Sequence, residues 1–164
     1  MSSGKAWVFG ENVDTDQLAP GAFMKSSLEE LSRHCLESLR PEFASQVGPG
    51  DFVVAGKNFG MGSSREQAAQ ALVHLKVAAV IAPSFAGIFQ RNAFNLGLLV
   101  LECPQAHQLH EGDTLAVDAR KGEIFNQKTG VRLRCAAVPE FLMEMLENGG
   151  LVPHLERKLR ERKR

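Results

Sequence analysis

The residues best suited to chemistry lie in a short glycine-rich segment, residues 60–65, with the sequence GMGSSR. The hydroxyl groups of Ser63 and Ser64 stand beside the guanidinium of Arg65, a group that binds carboxylates through paired hydrogen bonds. Gly60 and Gly62 allow positive φ angles and let another molecule approach the backbone closely. This combination is typical of a loop that binds an anionic substrate.

The segment is predicted to join a strand to a helix. The apolar run 52–55 indicates a buried strand, and the alanine-rich stretch from Ser63 onward indicates a helix whose free N–H groups would stabilise an anion. A second interpretation is equally consistent, because Ser63 with Glu66, or Ser64 with Gln67, has the spacing of a capping box. A Walker loop and a dinucleotide fingerprint are both excluded, since neither pattern is completed.

Three further polar residues are expected to shape this region. Asp14 and Asp16 occur in the segment NVDTDQ, where two carboxylates are too few for a hard cation, so we expect an Asx-type turn. Asn58 is expected to hold the shape of the glycine loop. The adjacent Lys57 is expected either to be solvated or to face a partner.

Composition limits the possible function classes. A chain of 164 residues with 44% hydrophobic content and zero formal charge is predicted to form one domain, 1–164, and is not a general nucleic-acid binder. The exception is a basic C-terminal tail, 151–164, which is expected to be a solvated helix end. No apolar stretch is long enough to span a membrane.

The three cysteines, Cys35, Cys103 and Cys135, form no CxxC pattern, which predicts that this chain alone binds no metal or cluster. Their odd number, without a signal peptide, suits a reducing cytoplasm. The five histidines are scattered, and we expect them to be structural or to lie at the surface.

The order of the remaining elements predicts an α/β fold. Strands at 5–9, 77–82 and 98–101, with a helix from Ser84 to 94 between the last two, indicate parallel pairing. Short strands at 113–118, 123–126 and 131–135 indicate a hairpin-rich meander. Helices are predicted from Ser27 to about 39, with an apolar face that includes Leu28 and Leu39, at 141–146, and through the basic tail.

Three segments together resemble the aconitase superfamily, in the form found in the small subunits of 3-isopropylmalate dehydratase and homoaconitase. Residues 58–68, NFGMGSSREQA, resemble the family segment NFGxGSSRE, and residues 12–17 resemble NVDTDxI. Residues 84–98 resemble SFAxIFxRNAxNxGL. The likeness covers most of residues 5–150.

The resemblance implies a fold and an incomplete active site. It implies a swivelling three-layer β/β/α domain, like the C-terminal domain of aconitase, that works with a separate large subunit carrying a four-iron four-sulfur cluster, as a heterodimer or heterotetramer. The implied activity is a hydro-lyase isomerising 2-isopropylmalate to 3-isopropylmalate. Ser63 would remove a proton from the substrate, a 2-hydroxy di- or tricarboxylate, while Ser64 and Arg65 would hold its carboxylate.

The substrate is less closely defined, because the family's YLRT-like selectivity loop is replaced here by FMKS at 23–26. Lys25 keeps a positive charge but lacks the planar fork of arginine, while Phe23 and Met24 favour an alkyl group on the substrate. Homocitrate-type or smaller methylated malates, of the dimethylmalate type, are alternatives. An alternative from another class is a non-catalytic anion- or RNA-binding module that uses the basic tail.

Overall fold

The computed structural model describes residues 2–163, and its central feature is a mixed β-sheet. Within those residues, seven strands follow the order β4-β3-β2-β1-β5-β6-β7. Strands β1 to β4 are parallel, and β5, β6 and β7 are antiparallel to their neighbours. The strands are β1 Ser2–Val8, β2 Phe52–Val54, β3 Ala79–Ala82, β4 Leu99–Glu102, β5 Thr114–Asp118, β6 Glu123–Asn126 and β7 Arg132–Arg134.

The helices mostly lie between the parallel strands or after the last strand. They are α1 Thr15–Leu18, α2 Leu28–Arg33, α3 Phe43–Gln46, α4 Glu66–His74, α5 Gly87–Asn95, α6 Glu140–Glu147 and α7 Leu151–Arg162. Short 3-10 turns occupy Gly21–Phe23 and Ala106–Gln108. The predicted basic tail therefore forms α7, and none of the helices in residues 2–163 has the length and apolarity needed to cross a membrane.

The parallel strands are buried on both faces, which explains their unbroken apolar runs. On one face, Val53 and Val80 pack in the same core cluster as Leu72 of α4 and Phe89 of α5. On the opposite face, the alternate side chains of these strands pack against the curled antiparallel strands, in a cluster that contains Phe52, Val54, Ile81, Leu115, Ile124 and Leu133. Helices, parallel strands and antiparallel strands thus form three layers, which confirms the predicted α/β, three-layer class.

Two features of the helix predicted from Ser27 to about 39 are wrong. Ser27 caps it as expected, its hydroxyl accepting the N–H of Glu30 at 3.1 Å, but the helix ends at Arg33 rather than near 39. The helix cannot continue because Leu36 has φ 59° and donates its N–H to the Gln17 carbonyl at 2.8 Å. Leu39 therefore lies outside the helix, and both Leu28 and Leu39 are exposed instead of lying on a buried face.

Candidate active site

The two serines of the glycine-rich loop are not helix caps. Helix α4 begins at Glu66, with Arg65 at its N-cap and no capping side chain, so the predicted helix start at Ser63 is wrong. Ser63 and Ser64 are exposed, and neither hydroxyl hydrogen-bonds to any side chain or backbone group in residues 2–163. The capping interpretation therefore fails, and both hydroxyl groups remain available to a ligand.

The guanidinium of Arg65 is held in place from one side only. Its Nη1 donates to Asp16 Oδ1 at 2.8 Å and to the Ala19 carbonyl at 2.9 Å. Its Nε and Nη2 have no acceptor within the part of the chain that the structure describes. Gly21 lies beside this edge of the guanidinium, where a Cβ would make an ordinary contact with Nη2 at 3.8 Å. Arg65 thus presents two oriented free donors, the arrangement that a carboxylate needs.

Asp16 is the residue that orients Arg65. One of its oxygens, Oδ1, accepts both the Arg65 guanidinium and the N–H of Gly21 at 3.0 Å. The Arg65 side chain holds the pKa of the Asp16 carboxyl below its usual range. Since the carboxylate side chain is 68% exposed, we expect the pair to contribute little to stability and much to orientation.

Replacing Arg65 by alanine should raise the pKa of Asp16 back toward 3.8, its ordinary value. The pKa in the folded protein is lowered, so the stabilising effect of the pair is present above the unfolded pKa and is lost as pH falls through the folded pKa. A side-chain carbonyl NMR titration measures the midpoint, and Arg91→Ala, which removes another exposed guanidinium, is the control. An Asp16 midpoint equal in wild type and Arg65→Ala would rule out the pair.

The loop after β1 runs alongside the glycine-rich loop. Asp14 caps α1 in a capping box with Gln17, each side chain accepting the backbone N–H of the other residue, at 2.8 and 3.0 Å. The backbone is joined to the glycine-rich loop by hydrogen bonds from Gly60 to Val13, at 2.7 Å, and from Thr15 to Met61. The expected role of Asp14 in shaping the loop is consistent with these contacts.

Gly60 and Gly62 both have positive φ angles, 82° and 105°. A Cβ on Gly60 would lie 2.2 Å from Cγ of Phe89, so the glycine is required by close packing as well as by backbone geometry. A Cβ on Gly62 would meet Thr15 Oγ1 at 3.1 Å, a milder approach. Phe89 packs edge-on against Phe59, with ring centroids 5.2 Å apart, so that Phe89 contacts Gly60 of the glycine-rich loop as well as Phe59, the residue before it.

Three polar residues join the loops that follow β1, β2 and β3, and we call Asn12, Asn58 and Ser84 the asparagine ridge. The Asn58 amide donates to Asn12 Oδ1 at 3.2 Å, and the Asn58 N–H donates to Ser84 Oγ at 2.9 Å. Both asparagines have φ near 60°, a conformation that asparagine tolerates better than most residues. The predicted capping role of Ser84 is wrong, because α5 begins at Gly87 and the Ser84 hydroxyl binds Asn58 instead.

The segment 23–26 follows Gly21, which lies beside Arg65, and its first two side chains turn toward the core. Phe23 stacks on the ring of His34, with centroids 3.6 Å apart, and packs with Met24 against the helical side of the core. Both residues are half-buried, whereas Lys25 is exposed and has no acidic partner in residues 2–163. The substrate-binding roles of Phe23, Met24 and Lys25 remain predictions.

The cysteines do not fit an iron–sulfur cluster. Cys35 lies in the helical-side core, whereas Cys103 and Cys135 lie on the other side of the sheet. Burial raises the pKa of all three thiols, that of Cys135 to about 11, although cluster ligands must be thiolates. Within residues 2–163, no group of three or more His, Cys, Asp or Glu side chains is placed to hold a metal ion.

Two contacts of the candidate site were not predicted from the sequence. The capping box of Asp14 was detectable, because Asp14 and Gln17 have its three-residue spacing. The Asp16–Arg65 pair joins residues 49 positions apart, and no local pattern reveals such a contact. Together the contacts create a loop with two free hydroxyls and one oriented guanidinium, which can bind a carboxylate and exchange a proton with an adjacent carbon.

Comparison with known proteins identifies close relatives. Residues 37–106 match the family described as aconitase C-terminal domain. The chain is 51% identical to 3-isopropylmalate dehydratase small subunit 1 of Archaeoglobus fulgidus, over 97% of this chain and 99% of that protein. It is 49% identical to the methanogen homoaconitase small subunit of Methanothermobacter thermautotrophicus, over 92% and 88%. The crystal structure of 3-isopropylmalate dehydratase from Methanocaldococcus jannaschii matches with a TM-score of 0.91 and 40% identity, over 98% of this chain and 97% of that chain.

Proposed function

Because this chain belongs to the family of 3-isopropylmalate dehydratase small subunits, we propose that it is the small subunit of a cytoplasmic hydro-lyase of leucine biosynthesis. The enzyme isomerises 2-isopropylmalate to 3-isopropylmalate through the unsaturated acid. The observation that carries the assignment of the site is the pair of free serine hydroxyls beside an arginine held on one side only.

Each of the three residues has a distinct role in this proposal. Arg65, through Nε and Nη2, and Ser64, through its hydroxyl, bind the carboxylate next to the carbon that loses a proton. Ser63, as the alkoxide, takes that proton, and the C–H electron pair forms the double bond as the hydroxyl leaves the neighbouring carbon. The hydroxyl leaves as hydroxide. Addition of hydroxide to the carbon that lost the proton, with return of the proton from Ser63 to the carbon that lost the hydroxyl, completes the isomerisation and regenerates the alkoxide.

A serine hydroxyl is a weak base, so its alkoxide must be stabilised by its surroundings. The positive end of α4 and the guanidinium of Arg65 provide positive charge, and this charge acts strongly only where water is excluded. Ser63 is exposed in the isolated chain. The active state therefore requires another surface to cover it.

We assign that covering surface to a large subunit that carries the four-iron four-sulfur cluster, since the cysteines of this chain do not fit a cluster. The cluster would supply Lewis acid assistance to the departing hydroxyl. This chain, as a single swivelling domain, supplies the proton transfer and the carboxylate binding.

Purification of the tagged chain with its partners from its own cell, without oxygen, tests this assignment. We expect a larger, iron-rich protein to copurify, and the complex to convert 2-isopropylmalate to the unsaturated acid. The separated small subunit is expected to be inactive. Turnover by the pure chain without iron, or an iron-rich complex with no activity on any 2-hydroxy dicarboxylate, would contradict the proposal.

Lys25→Arg is expected to shift the preference of the complex toward a homocitrate-type tricarboxylate. The guanidinium restores a fork that can bind a second, distal carboxylate. A charge-assisted hydrogen bond of this kind corresponds to about a tenfold change in the ratio of kcat/KM values. The measurement compares kcat/KM for both substrates. Lys121→Arg, at the exposed turn between β5 and β6, is the matched control, and an unchanged ratio would exclude Lys25 from selectivity.

A further inference from the structure

An open groove of about 600 Å³ lies at the carboxyl ends of the parallel strands. Its walls are formed by the ends of β1, β2 and β3 on one side and by residues 104–111 on the other. The wall residues are mainly aliphatic or proline: Val8, Val54, Ala55, Pro83, Ala106 and Leu109. Its mouth carries exposed polar side chains from Glu11, Lys57, His107 and His110.

The groove is adjacent to the candidate active site. Three residues that line the groove each directly precede a residue of the asparagine ridge. They are Glu11 before Asn12, Lys57 before Asn58 and Pro83 before Ser84. Along the chain, Asn58 of the ridge lies between Lys57 of the groove and the glycine-rich segment 60–65. A surface that covers Ser63 at this edge of the sheet would extend across the ridge to the groove.

The interior of the groove favours an apolar occupant over a polar metabolite. Arg40, the guanidinium in its wall, has its Nε bound to Glu42 and both Nη atoms bound to Glu111, at 2.9 to 3.1 Å. The side chains of Val8, Val54, Ala55, Pro83, Ala106 and Leu109, which line the interior, carry no polar atom. Metabolite sites present converging polar groups, and this interior offers no free one.

We propose that the groove is the docking site of an apolar segment of the large subunit, one flanked by polar groups that face Glu11, Lys57 and the two histidines at the mouth. The inference rests on the proposed function, which requires a large subunit at this edge. The volume of the groove is large enough for a segment with more than one apolar side chain, because it lies within the range of volumes of pockets that bind drug-sized molecules. An apolar anchor in a pocket is the usual centre of a protein interface.

The test introduces larger side chains at the groove without changing any residue of the core. His107→Trp and His110→Trp alter exposed side chains at the mouth, so we expect unchanged thermal unfolding. Binding of the purified, cluster-bearing large subunit to the immobilised chain is measured without oxygen. We expect at least about tenfold weaker affinity for both variants. Leu155→Trp, on the exposed face of α7, is the matched control and should bind as wild type does.

Activity measurements separate docking from catalysis. The groove variants should need more small subunit for half-maximal activity and should reach the wild-type kcat at saturation, whereas Ser63→Ala should bind normally and not turn over.

Unchanged affinity of both folded tryptophan variants overturns the proposal. Loss of self-association in the variants would assign the groove to a second copy, and loss of a thermal shift caused by 2-isopropylmalate would assign it to a metabolite. Docking through the groove without turnover of any hydroxy acid would instead contradict the proposed function alone.

Discussion

Ser63→Ala is expected to lower kcat of the assembled enzyme about 1,000-fold, because a positioned proton-transfer group contributes on the order of 100- to 10,000-fold. Thermal unfolding should not change, since the Ser63 hydroxyl has no hydrogen-bond partner in residues 2–163 and does not cap α4. KM should change little if Ser64 and Arg65 bind the carboxylate. Steady-state kinetics with 2-isopropylmalate and a thermal melt measure both properties.

Ser64→Ala is the matched control, since it removes an equally exposed hydroxyl from the next residue. It should raise KM and lower kcat much less, because this hydroxyl is assigned to carboxylate binding. If the two variants lost kcat to the same extent, or if Ser63→Ala kept most of its activity, Ser63 would not be the base. A fall in melting temperature for Ser63→Ala would show that its hydroxyl is structural.

Gly60→Ala is expected to destabilise the chain by about 3 kcal/mol or more and to inactivate the complex. The substitution combines a positive φ of 82° with a Cβ that would lie 2.2 Å from Phe89 Cγ, far inside the usual carbon–carbon contact distance. Relief of the clash would shift the glycine-rich loop, and Ser63 would move with it. The free energy of unfolding from denaturant titration, together with kcat, measures both effects.

The chain contains a closely matched control for this prediction. Gly112 has the same φ, 82°, but a Cβ there would meet nothing within 4 Å. Gly112→Ala should therefore show only the backbone cost, about 1 kcal/mol, and leave activity unchanged. Equal destabilisation by the two substitutions would mean that Phe89 moves aside without cost.

The strands were predictable because burial on both faces leaves an unbroken apolar run, as at Phe52–Val54 and Ala79–Ala82. The starts of α2 and α7 were predicted correctly, whereas those of α4 and α5 were not, because the groups that compete for the expected caps are distant in sequence. Serine is a residue type that often caps helices, yet the Ser84 hydroxyl instead accepts a hydrogen bond from the N–H of Asn58, 26 residues away. Ser63 and Ser64 both fit a capping box, and the helix begins beyond them with Arg65 at the N-cap.

The candidate site was predictable in its residue types but not in its internal contacts. Asp16 and Asn58 were expected to shape loops, and that role stays a prediction; each hydrogen-bonds to a partner 46 or more residues away. Hydrogen bonds between loops depend on how the parallel strands align their ends. That alignment is a property of the sheet register, which a single sequence does not specify.

The asparagine ridge has a practical consequence for inhibitor design. Because Asn12, Asn58 and Ser84 join three successive loops, we expect those loops to keep their relative positions when the proposed partner subunit binds. The isolated chain would then serve as a fixed template for fragment screening, in which carboxylate-bearing fragments are ranked by their fit to Arg65 and Ser64. Compounds found in this way would need only an added group that reaches toward the partner surface.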